Sequence, residues 1–144
     1  MGTVVLGEGP SKARVMLVGQ NPGAEEAKQG RPFVGRAGKY LDVVLKKNGI
    51  DRHRIYITSI VKETTPHNRP PTSQEIERWM PELLEELKRI KPEIVVLMGK
   101  VAWQTSRLPG IEYIETYHPA AAMRFPGARA RFEKDFKNLK NKSA

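Results

Sequence analysis

Three stretches of this sequence combine residue types that could do chemistry. The first is Gly19-Gln20-Asn21-Pro22-Gly23, directly after an apolar run. Glycine and proline here make a tight turn that brings backbone N–H groups to the surface, and the Asn21 amide can hold a water or a carbonyl. The spacing fits neither a dinucleotide fingerprint nor a Walker loop. The same five residues also suit an ordinary strand-to-helix turn. The second stretch, Gln29 to Gly38, sets Phe33 among Arg31, Arg36 and three glycines. An exposed aromatic beside arginines suits stacking on a base with phosphates close by. Equally, Phe33 and Val34 would staple the helix that follows. The third, Tyr117 to Pro126, places His118 at a strand end, before a short apolar bulge with Arg124 on its flank. A lone histidine is usually a satisfied surface or core residue. An apolar tip beside arginine, however, is what a duplex-intercalating wedge needs.

Four short apolar or β-rich runs must position these stretches: Arg14–Val18, Arg54–Val61, Ile94–Met98 and Ile111–Tyr117. Between them lie helical patterns. Val34, Ala37, Leu41, Val44 and Leu45 recur at helical spacing, with Gly49 as a stop. Thr72 and Glu75 form a capping-box pair ahead of Ile76, Trp79, Leu83, Leu87 and Ile90. Pro81 inside this pattern predicts a kink or a late start. A last basic helix is predicted from about Gly127 towards Lys140. Strands alternating with helices predict an α/β domain on a parallel sheet covered on both faces. Ligands in such folds bind beyond the carboxyl ends of the strands. Those ends are Gly19–Gly23, Ser59–Thr65, Gly99–Lys100 and His118–Arg124, so the architecture converges them on one site.

The 144 residues suit one domain, with 39% apolar and 28% charged residues. Twenty-five Lys and Arg against 16 Asp and Glu give a formal charge of +9, which predicts a polyanionic partner. The absence of cysteine excludes disulfides, zinc fingers and thiolate-bound iron–sulfur clusters within these residues, and the three histidines are scattered. No apolar run is long enough to span a bilayer, and no signal peptide is recognisable. A cytoplasmic, nucleoid-associated prokaryotic monomer without membrane contact is the expectation. Charge is uneven: residues 75–93 carry net −2 and residues 118–144 net +5.

Together these segments closely resemble the uracil-DNA glycosylase superfamily, most strongly the family-4 enzymes of bacteria and archaea. The resemblance runs from about Val5 to Phe132, carried by Gly-Glu-Gly-Pro at 7–10, Gln29–Gly38, Asn68-Arg69 and His118-Pro119-Ala120. It implies a three-layer αβα fold with a central four-stranded parallel sheet, and a monofunctional glycosylase that flips a uracil from DNA and hydrolyses its N-glycosidic bond. By this resemblance His118 stabilises the departing base anion and Phe33 is the stacking plate. Met123 or Ala122 takes the wedge position. Arg69, Lys100 and Arg124 are candidates for phosphate contacts. A basic rim of Arg31, Arg36, Lys62, Arg69, Arg124 and the C-terminal helix would surround the pocket.

The chain departs from the family in three places. Family-4 members carry a carboxylate at the position of Gln20. Asn21 instead matches the mismatch-specific and single-strand-selective branches, which makes Asn21 the expected water-holder and Gln20 a pocket residue. Ser59 stands where those enzymes read the base edge with an asparagine, and a hydroxyl makes fewer bonds. Gly23 stands where family-1 enzymes place a tyrosine that blocks the thymine methyl, and Glu26 could crowd the 5-position instead. Mismatched thymine and other deaminated bases such as hypoxanthine are therefore also candidate substrates. Lastly, Glu63 and Trp79 align with two of the four cysteines that hold the family-4 [4Fe–4S] cluster, and the other pair would precede Thr3. No cofactor is expected, with Trp79 filling the cluster's space. Two other readings stay open: a non-catalytic or damage-sensing nucleic-acid-binding module on the same fold, and a small-molecule nucleotide enzyme.

Overall fold

The computed structural model describes residues 2–143. Its strands are β1 (Val15–Gly19), β2 (Tyr56–Ser59), β3 (Ile94–Met98) and β4 (Glu112–Thr116). They form one parallel sheet in the order β2-β1-β3-β4. Five helices accompany it: α1 (Ala24–Gln29), α2 (Arg36–Lys47), α3 (Ser73–Ile90), α4 (Pro119–Arg124) and α5 (Pro126–Ser143). Strands β2, β3 and β4 fall within the runs read from the sequence, and β1 runs one residue past its run, to Gly19.

The strands β1 and β3 are buried along their whole length because both faces are covered. Val15, Leu17, Ile94 and Val96 pack with Leu41 and Leu45 of α2 and Phe132, Phe136 and Leu139 of α5. Met16, Val18, Val95 and Leu97 point the other way, onto Ile76, Leu83, Leu87 and Ile90 of α3. This period-two division of the strand residues produces the three-layer αβα architecture. The chain leaves β1 towards β2 on one side and returns to β3 on the other. The crevice at that switch, beyond the strand carboxyl ends, is where such sheets bind ligands.

Helix α3 starts at its capping box: Thr72 accepts from the Glu75 N–H at 3.2 Å and Glu75 accepts from the Thr72 N–H at 2.8 Å. The late start expected from Pro81 does not occur: α3 begins at Ser73 and continues through Pro81 to Ile90. Pro81 and Glu77 both lie on the exposed side, so the carbonyl that loses its partner is left to water. Two six-residue helices, α1 and α4, carry too few residues to show a periodicity and were not expected. The apolar bulge read at Ala120–Met123 is α4.

Candidate active site

The turn after β1 is fastened to the end of β2. Ile60 and Val61 donate their N–H groups to the carbonyls of Gly19 and Gln20, at 2.9 and 3.1 Å. Within it the Gln20 amide donates to Asn21 Oδ1 at 3.3 Å, and the Asn21 amide donates to Thr65 Oγ1 at 3.4 Å. These contacts fix which way the Asn21 amide faces and leave its oxygen with acceptor capacity.

Phe33 sits in a built loop. Its φ of 51° lies in the left-handed region, which a bulky residue adopts only when its surroundings hold it there. Two neighbouring glycines make room. A Cβ at Gly19 would lie 2.3 Å from the Phe33 ring, and one at Gly38 would lie 2.0 Å from the Phe33 carbonyl oxygen. From one side the Glu26 carboxylate accepts N–H bonds from Gly23, Val34 and Gly35, at 3.0, 2.9 and 2.7 Å. From the other, Arg52 donates to the carbonyls of Pro32 (2.6 Å) and Phe33 (2.8 Å) and to Asp42 of α2 (2.6 Å). Arg52 carried no signal in the sequence, because its partners, two backbone carbonyls and the Asp42 carboxylate, lie ten to twenty residues away.

His118 caps α4. Its Nδ1 accepts the Ala120 N–H at 3.0 Å, so in the neutral ring the proton lies on Nε2. Burial lowers its pKa from 6.5 to about 4, with the Glu26 charge acting in the opposite direction, so the ring is neutral at pH 7. Its ring centroid stands 5.8 Å from that of Phe33. Gly99, at φ 97°, lets β3 end directly beneath it.

These groups line one pocket of about 440 Å³ at the switch crevice. Of the residues expected there, Gln20, Asn21, Gly23, Glu26, Phe33, Ser59 and His118 line it. The Ser59 hydroxyl donates to the Val61 carbonyl at 2.8 Å, so towards the pocket it offers only an acceptor. Asn68, part of the Asn68-Arg69 stretch of the resemblance but given no role there, also lines the pocket. It follows His67 in two successive left-handed positions, and its side-chain amide makes no hydrogen bond among the described residues.

The expected phosphate contacts lie outside the pocket lining. Arg69 is bound by Glu75, at 2.7 Å, the Arg69 guanidinium holding that carboxylate's pKa down at about 2. Lys100 and Arg124 are exposed, Arg124 over the ring of Phe125, and Met123 is half-buried. One rim assignment, Lys62, and the alternative wedge residue, Ala122, are corrected. Lys62 is buried against Glu86 at 2.8 Å, and Ala122 is fully buried in the core, so neither meets solvent. Phe125, 54% exposed, is the large apolar side chain that this tip presents.

A family-4 cluster does not fit the residues present. The Trp79 indole N–H donates to Glu63 Oε1 at 3.2 Å, and Arg78 stands 3.6 Å from the same oxygen. An indole nitrogen has no lone pair for iron, and the carboxylate beside it is already engaged. The N-terminal segment closes this region by pairing Thr3 and Val5 with Thr64 and Lys62.

The pocket thus sets an aromatic ring, Phe33, and a neutral imidazole, His118, at the carboxyl ends of a parallel sheet in an α/β protein. The sequence profile described as the Uracil DNA glycosylase superfamily matches residues 6–141, and the chain belongs to that superfamily. It is 36% identical to a type-4 uracil-DNA glycosylase of Pyrobaculum aerophilum, over 91% of this chain and 79% of the relative. It is 35% identical to the type-4 enzyme of Archaeoglobus fulgidus, over 94% and 79%. Among solved structures, the NMR structure of a candidate uracil DNA glycosylase from Methanosarcina acetivorans shares the fold, with a TM-score of 0.62, 14% identity and coverage of 96% of this chain and 98% of the other.

Proposed function

We propose that the protein is a monofunctional uracil-DNA glycosylase, working as a single chain on DNA. The observation that carries this reading is the neutral His118, its Nδ1 occupied by α4, lining the same pocket as Phe33 with the two ring centroids 5.8 Å apart. A uracil flipped into the pocket stacks on Phe33. As the C1′–N1 bond breaks, its electron pair leaves with the base, and the His118 Nε2–H donates to the oxygen where negative charge gathers. A water held by the Asn21 oxygen adds to the cationic C1′, and its proton is lost to the base anion or to solvent. The products are free uracil and an abasic sugar. An amide orients this water without deprotonating it, so the addition must follow bond cleavage.

Ser59, an acceptor towards the pocket, suits the uracil N3–H, and the free Asn68 amide suits O4. A second substrate, thymine opposite guanine, is favoured by Gly23, which places no side chain against a 5-methyl. The Glu26 oxygen 3.0 Å from where a Gly23 Cβ would lie makes it the poorer one. Uracil, thymine and hypoxanthine oligonucleotides, single-stranded and opposite each base, are incubated with the protein and cleaved with alkali. The expected result is strand scission at uracil, reduced by about 10²–10³ in His118→Ala and Asn21→Ala. Binding without scission on any substrate would replace this reading with a damage-sensing module. Uncut G·T duplexes would remove thymine.

A further inference from the structure

Helix α5 leaves the pocket end of the sheet and runs to the opposite end. Its start follows α4 directly, while Lys142 near its end contacts Glu112, the first residue of β4. At 1.5 Å per residue, Lys140 lies about 21 Å along the axis from Pro126. There α5 and the end of α2 border a second groove, lined by Lys47, Asn48, Lys134, Lys137 and Lys140. The one acid in its wall, Glu133, accepts from the Tyr40 hydroxyl at 3.0 Å and lies 3.9 Å from Lys47. Lys134, Lys137 and Lys140 make no ion pair or hydrogen bond among the described residues. Helices α2 and α5 together carry net +7, whereas α3, across the sheet, carries net −2. The positive charge is thus gathered on one layer, and its densest unpaired part is at the end away from the pocket.

We infer that this groove is a second nucleic-acid contact, holding the phosphates of a DNA segment other than the one in the pocket. Duplex DNA is stiff over about 150 base pairs, so a duplex seated across the pocket end does not turn down the length of α5 to reach Lys140. A protein with phosphate-binding surfaces at both ends of one helix can touch a new segment before releasing the old one. The inference rests on the pocket end taking DNA, as proposed above.

The test uses the full chain bound to a fluorescent, uracil-free duplex, with dissociation followed by stopped flow at rising concentrations of unlabelled duplex. In direct transfer the observed off-rate climbs with competitor. In Lys134→Gln/Lys137→Gln/Lys140→Gln that climb is expected to fall at least five-fold, with single-turnover excision from a short uracil duplex unchanged within two-fold. The inference is overturned if the native off-rate ignores competitor, or if the triple variant keeps the native slope. It is also overturned if excision from the short duplex falls as much as the transfer does, which would place the lysines on the primary DNA. Competitor-dependent dissociation by a protein that excises nothing would defeat the glycosylase reading and leave this one standing.

Discussion

Gly38 and the Phe33 carbonyl occupy the same space: a Cβ on the one would lie 2.0 Å from the oxygen of the other. The first turn of α2 therefore sets the height of the loop that carries the Phe33 ring, the proposed stacking plate. Gly38→Ala is expected to displace that loop, costing about 1–3 kcal/mol of stability and lowering kcat/KM on uracil DNA. Chemical denaturation and steady-state kinetics measure both effects. A variant with native kinetics would show that the position of the ring is immaterial.

Arg52 holds the same loop from behind, through the carbonyls of Pro32 and Phe33. Arg52→Ala leaves both acceptors without their donor and is expected to cost about 1–3 kcal/mol. Arg52→Lys supplies one donor in place of a fork and should recover part of the loss. The kinetic signature is a fall in kcat larger than any rise in KM for DNA, since backbone phosphate contacts are untouched.

The low pKa of His118 makes two pH predictions. The ring stays neutral from pH 7 down towards pH 4, so its 15N shifts should report the Nε2–H tautomer across that range, with titration near 4. The unfolded chain takes up its proton near 6.5, so folded stability contributed by this site is full above that value and is lost as pH falls from about 6.5 to about 4. A denaturation series of native protein against His118→Gln isolates the effect. Identical pH slopes for the two would contradict it.

Behind the pocket, Lys62 donates to Glu86 at 2.8 Å and to the Ser59 carbonyl at 2.6 Å, while Tyr56 and Thr58 donate to the same carboxylate. Removing one charge strands the other, so Lys62→Met is expected to cost about 3–5 kcal/mol. Lys62→Met with Glu86→Leu should recover most of it but not all, because the two hydroxyls lose their acceptor. Urea midpoints of the single and double variants decide the matter.

The Trp79–Glu63 hydrogen bond predicts a colourless protein. Metal analysis should find no stoichiometric iron, and chelators should leave Tm unchanged. Iron at cluster stoichiometry would mean that these side chains are rearranged.

The sheet was legible because Val15–Val18 and Ile94–Met98 are continuous apolar runs that end at glycines, and period-two burial does the rest. Three of the four strand ends line the pocket as topology predicted, while the end of β3 reaches it only through Gly99 beneath His118. What escaped the sequence depended on contacts distant along the chain. Lys62 reads as a surface base until Glu86, on α3, is folded against it. Arg52 reads as a turn residue until the Phe33 loop is laid over it. Asn68 enters the pocket wall through two left-handed backbone positions for which no glycine gave notice. Pro81 misled in the other direction, because a proline on the solvent face of a helix leaves an orphaned carbonyl that water can satisfy.

The close approach of the Phe33 ring to the Gly19 peptide has a kinetic meaning. If Phe33 stacks on the base as proposed, a ring seated on the Gly19 backbone, in a loop held by the Glu26 carboxylate and the Arg52 guanidinium, leaves little ordering entropy to be surrendered when a base arrives. On the proposed function, the loop is then in its capturing geometry before DNA arrives. The time taken to load the pocket is then governed by how often the duplex opens and presents a base, and its temperature dependence should follow the stacking strength of the neighbouring base pairs.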